Sequence, residues 1–272
     1  MRKEQFLQML SNSRERGEVI NGELFEGFSL NNVDISRVNM LNCIFSDVEF
    51  NGCRFNQTNM RGCTMNNCSL EGCNFEGAKL ESTKWVLCNS SMVVFDGCDM
   101  QESVVDRGIW NVTYWMSSDL SAFEMRGARM SRSIIQGSNF VGAIIENCEF
   151  EEDRFLRSKV SNAKFITVTF QDTSLDEVSG NEIPNTEFVG CFFANSIFAQ
   201  MNLDGIRFSR CNFRSGQFSG ASLAFTDFQD SQVNNSNFVS CKFRQTRFHG
   251  VDLSNAIFDE DANKQEILVD QR

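Results

Sequence analysis

From Phe25 onward, every fifth residue is large and apolar as far as Leu175, and the beat resumes in a shifted phase from Phe188 to Phe258. The two runs hold 31 and 15 such positions, and of these 46 only Ser90 is not apolar, in a chain that is 41% hydrophobic overall. A period of five fits neither a helix face, which repeats every 3.6 residues, nor a strand face, which repeats every two. The chain must therefore bury its apolar residues through an internal repeat, and such a repeat decides the architecture before any other signal.

The unit is clearest across 51–80, which reads NGCRF NQTNM RGCTM NNCSL EGCNF EGAKL. Two residues before each large centre stands a small one: Cys53, Thr58, Cys63, Cys68, Cys73 and Ala78. Two residues after it stands a turn former, as at Gly52, Gly62, Asn67, Gly72 and Gly77. Glycine and asparagine tolerate left-handed backbone at low cost, so they suit a corner. A chain that turns every five residues and sends one large and one small residue inward traces a square coil of about 20 residues, each coil pairing with the next at roughly 4.8 Å.

This pattern resembles the pentapeptide-repeat family over residues 21–258. The resemblance implies an all-β, right-handed quadrilateral β-helix, here of about 12 coils in two runs, with a short helical cap. Residues 1–20 are expected to form that cap, because Phe6, Leu7 and Leu10 share one side of a helix over 3–16 and Gly17 can stop it. The expected order is then a first run over 21–175, a loop or register break over 176–187, a second run over 188–258, and a tail or cap over 259–272. Thirteen residues separate Leu175 from Phe188, which is not a multiple of five, and the only proline, Pro184, lies between them. That interval, with Asp176, Glu177, Glu182 and Pro184, is either a tolerated insertion or a partner-contacting loop.

All eleven cysteines fall two residues before a centre, so they are expected to be small core fillers rather than ligands or disulfide partners. CxxC spacing is absent and the single histidine, His249, follows a centre and faces out, so neither metal nor another cofactor is expected. Reduced thiols point to a cytoplasmic location, with a secreted effector as the alternative, and no segment is apolar enough to span a membrane. Phosphate-binding and hydrolase motifs are missing, and a filled coil offers no pocket, so an enzyme is not expected.

The outward residues are then the candidates for function. Net charge is −11, which disfavours a direct nucleic-acid binder. The distribution is uneven, since 188–258 carries six Lys/Arg against four Asp/Glu. Acids concentrate at Glu146, Glu149, Glu151, Glu152 and Asp153, either for solubility or as an acidic surface for a partner. Within the family, the Qnr-type and MfpA-type members are DNA mimics that bind type II topoisomerases, and the run ENCEF EEDRF LRSKV SNAKF at 146–165 is similar to the Qnr type. The resemblance implies gyrase or topoisomerase IV as a partner and protection against quinolones. The second candidate surface is apolar. Outward positions at 86–116 hold unusually many large apolar residues, and 20-residue stacking sets Met92 beside Val112 and aligns Val94, Tyr114 and Ile134. A stacked apolar column implies a protein partner or a second copy of the chain.

Overall fold

The structure is a computed structural model that describes residues 2–171, 174–176, 186–193, 196–260 and 267–270. It is a right-handed quadrilateral β-solenoid of about 11 turns with one short N-terminal helix. Two compact units are resolved, residues 1–139 and 140–272.

In the first unit, helix α1 (Lys3–Arg16) ends at Gly17, whose backbone is left-handed at φ 68° and whose N–H donates to the Ser13 carbonyl at 2.9 Å. Phe6 and Leu10 are 0% and 2% exposed and the Phe6 ring lies 4.7 Å from that of Phe25, so the helix packs on the first coil; Leu7, expected on the same side, instead turns to solvent at 37% exposure. Beyond it, each coil pairs in parallel with the next at an offset of 20 residues. One face stacks Phe25, Phe45, Met65, Trp85, Val105 and Met125. The next stacks Leu30, Phe50, Leu70, Ser90, Trp110 and Met130.

The wide tryptophan centres are accommodated by small neighbours. Trp110 lies directly beside Ser90, and the slot two before it is Gly108, where a Cβ would meet the Cys88 carbonyl oxygen. Ser90 Oγ and Trp110 Nε1 are both buried without a hydrogen-bond partner among the described residues. Phe123, an oversized occupant of a small slot, turns inward and packs 6.0 Å from Trp115.

In the second unit the offset between Phe165 and Phe188 is 23 residues, and likewise between Thr169 and Phe192. The coil-to-coil offset here is therefore three residues longer than the regular 20, and pairing resumes with centre over centre. From there Phe188, Phe208, Phe228 and Phe248 stack at the regular 20. Parallel rings recur at each rung, with centroids 5.2 Å apart for Phe208 and Phe228 and 4.9 Å for Phe228 and Phe248. Each fully buried phenylalanine contributes about 1.5–3 kcal/mol of apolar burial, repeated along the axis, so stability accumulates coil by coil.

The cysteines line the interior as fillers. Cys63 donates to the Met40 carbonyl at 3.3 Å and Cys211 to that of Phe188 at 3.3 Å. None of the eleven cysteines forms a disulfide, and all but the half-buried Cys241 are buried.

Candidate functional site

The corners explain which outward residues are unusual. The residue two after each centre adopts left-handed backbone, with φ 52° at Asn42, 50° at Asn67 and 54° at Asn147. Its N–H donates to a carbonyl in the following coil, as Asn67 does to Val86 at 2.8 Å. Glycine, asparagine and other polar residues fill nearly all these places. Among the described residues only Leu87, Met92, Val112 and Phe225 are large and apolar there, with φ 55°, 56°, 53° and 60°. A β-branched or bulky side chain in this region is a strained outlier.

Three of these four lie in the first unit. Val94, Tyr114 and Ile134 are direct partners on neighbouring strands, Val94–Asp96, Tyr114–Met116 and Ile134–Gln136. Met92 and Val112 sit two residues ahead of Val94 and Tyr114, at the adjoining corner. The five residues thus form two neighbouring columns, with Met92 51% exposed and the others half-buried. Phe95, Trp115 and Ile135 lie buried beneath the longer column, which makes its floor rigid. Below Val94 the same column continues as Asn74, Arg54 and Asp34, so the apolar stretch has a definite end. Leu87 and Ile109 are also exposed, but the pairing sets them on or beside other faces.

The acidic group is divided by the structure. Glu149, Glu151 and Glu152 are exposed, and Glu146 is half-buried. Asp153, expected on the acidic surface, is 0% exposed. It stands two before Phe155, in the inward small slot, and its Oδ2 accepts from the Glu151 N–H at 3.1 Å. Of the loop residues, Glu177, Glu182 and Pro184 lie outside the described residues, while the backbone of Asp176 pairs with Leu156.

A third cluster was not singled out by the sequence pattern. Glu81, Asp99 and Arg61 meet on the first unit, where Arg61 donates to Glu81 Oε1. Burial and a hydrogen bond to Glu81 push the Asp99 carboxyl above its ordinary value. Two carboxyl groups in contact favour sharing a proton. No group of three His, Cys, Asp or Glu among the described residues is arranged to hold a metal ion. No helix among them is long and apolar enough to cross a membrane.

Residues 182–261 match the family model described as a pentapeptide repeat region, and residues 43–81 match that of pentapeptide repeats in eight copies. With the five-residue beat and the square coils, this decides the assignment. The chain belongs to the pentapeptide-repeat family. No curated protein matches the sequence. Among solved structures the pentapeptide-repeat chain is similar to HetL, a pentapeptide repeat protein involved in heterocyst differentiation regulation in the cyanobacterium Nostoc. That match has 10% identity and a TM-score of 0.33, and covers 92% of each chain. It is also similar to QnrB1, a plasmid-mediated fluoroquinolone resistance protein, at 16% identity and a TM-score of 0.29, covering 90% of this chain and 93% of that one. Such low identities and scores transfer no property of either protein to this pentapeptide-repeat chain.

Proposed function

We propose that the chain is a non-enzymatic scaffold that binds another protein through the strip of Met92, Val94, Val112, Tyr114 and Ile134. The observation that carries this reading is the corner anomaly. Leu87, Met92 and Val112 hold large apolar side chains where the coil asks for glycine or asparagine, and two of them adjoin the only outward column among the described residues that is apolar over three rungs. Aromatic and methionine side chains over a rigid floor suit the anchors of an interface. A second copy of the chain is one partner class to be scored. The test is recovery of a partner by the tagged chain from cell extract, compared with a Val94→Asp, Tyr114→Asp variant that retains its β-sheet circular dichroism. Loss of a partner that the native chain recovers supports the strip, and equal recovery by both overturns it.

A second reading is DNA mimicry toward gyrase or topoisomerase IV, favoured by the exposed Glu149, Glu151 and Glu152. Burial of Asp153 removes one charge from that surface. A supercoiling assay with purified gyrase, with and without quinolone, tests it; neither inhibition nor protection by the chain would end this reading.

A further inference from the structure

Charges alternate along one face of the second unit, where Lys164, Glu187, Arg207, Asp227 and Arg247 occupy successive rungs. The first three satisfy one another: Arg207 Nη1 lies 2.7 Å from Glu187 Oε1, and Lys164 Nζ lies 4.0 Å from Glu187 Oε2. The last two do not. Asp227 Oδ1 is withdrawn from solvent with no hydrogen-bond partner among the described residues. One rung away the Arg247 guanidinium is exposed and enters no ion pair among them. A carboxylate oxygen removed from water without a donor is costly; a ligand in the clefts that the half-buried Asp227 side chain lines reaches this oxygen only when the carboxyl group turns toward them.

Clefts open on both sides of this pair. One, of about 210 Å³, is lined by Gly205, Ile206, Phe225 and Gln245 together with Arg207, Asp227 and Arg247. The other, of about 440 Å³, adds Gln229, His249 and Leu268 to Asp227 and Arg247. Phe225 is the fourth large apolar residue in a left-handed corner and is 50% exposed. The Arg244 guanidinium covers its ring at 5.3 Å. Gly205, one rung away at the same corner, has no side chain and leaves a notch beside the ring.

We propose that this cleft binds a free α-amino acid as its zwitterion, with the ammonium on Asp227, the carboxylate on Arg247, and an apolar side chain against Phe225 and Ile206. The receptors are opposite charges one rung, about 4.8 Å, apart. An α-amino acid carries its own opposite charges on neighbouring atoms, in the complementary order. A dicarboxylate or phosphate ester would answer Arg247 but face Asp227 with like charge, and a simple amine would do the reverse. An internal peptide segment supplies neither charge. The exposed ring and the adjoining notch favour a ligand with a flat or branched apolar side chain.

The test is calorimetric titration of the full chain with L-phenylalanine. We expect saturable binding at one site, weakened at least tenfold by Asp227→Asn and by Arg247→Gln and reduced by Phe225→Ser. Arg247→Lys, which keeps the charge, should retain binding, and N-acetyl-L-phenylalanine and phenethylamine should fail to bind. Absence of saturation up to about 10 mM, a concentration at which even millimolar affinity shows, would mean that Arg247 closes onto Asp227 and merely continues the ladder. Equal binding by the acetylated compound, or by the Asp227→Asn chain, would also overturn the proposal.

Discussion

Val112 offers a direct way to separate what the coil requires from what its surface is used for. A left-handed conformation costs an L-residue about 1–2 kcal/mol, and Val112 adopts it at φ 53° while remaining half-buried beside Met92. Asparagine occupies the equivalent corner at positions 42, 67 and 147 with nearly the same φ. In Val112→Asn the corner N–H still donates to the Ser131 carbonyl, a bond of 2.8 Å in the native chain. The loss is part of one side chain's apolar contact, about 0.5 kcal/mol for some 20 Å². The net expectation is stabilisation of about 1 kcal/mol, which in a chain of this size raises the thermal midpoint by about 2–4 °C. Val112→Gly should gain less, because glycine forfeits about 0.5–1 kcal/mol of backbone entropy. The reciprocal change, Asn147→Val, at a corner with no apolar neighbour to gain, should destabilise by about 1–2 kcal/mol. Melting followed by circular dichroism at one fixed scan rate gives the ranking. If Val112→Asn lowers the midpoint by several degrees, the corner is not strained, and the argument that the strip keeps a structurally unfavourable residue for another purpose fails.

Phe6→Ala should cost about 3–5 kcal/mol of core packing, felt locally because coils interact with their neighbours; hydrogen exchange should quicken over residues 20–50 and stay unchanged beyond residue 80. The Asp99 carboxyl is raised in the folded chain, so its contribution to stability is full below its unfolded value and is lost as pH rises through the folded one. Asp99→Asn should therefore abolish the part of the stability decline that wild type shows as pH rises from the ordinary carboxylate range, read by denaturant unfolding at several pH values. Asp34 behaves in the opposite sense. Hydrogen bonds from Ser36 hold it down at about 2, so its stabilisation is present above 3.8 and lost as pH falls toward 2, and Asp34→Asn should flatten that acid limb. Burial pushes the Cys98 thiol up to about 12 and that of Cys241 to about 11. Among the cysteines only Cys241 is half-buried, so an alkylating reagent on the native chain should label it first, followed by mass spectrometry.

Periodicity made the interior legible because burial recurs at a fixed interval and stacking at a multiple of it. It places the cysteines and aligns Val94 with Tyr114 and Ile134. At Asp153 register outweighs polarity: it stands two before Phe155 and lies inside despite its charge. The re-registration between Phe165 and Phe188 needed the structure, since a thirteen-residue gap admits several ways of resuming the coil. Side-chain states were least accessible. That Glu187 engages Arg207 while Asp227 keeps an unpartnered oxygen depends on rotamers, which the repeat leaves free. Phe225 stands at a corner of the second run, and 20-residue arithmetic within that run is enough to bring its corner beside the rungs of Arg207 and Arg247.

The most direct test of the scaffold reading places a photo-crosslinking amino acid at position 114 in the cell and, separately, at position 54, a polar rung of the same column. The account predicts a specific covalent adduct with one protein from position 114 and none from position 54. No adduct from position 114, or the same adducts from both positions, would contradict it.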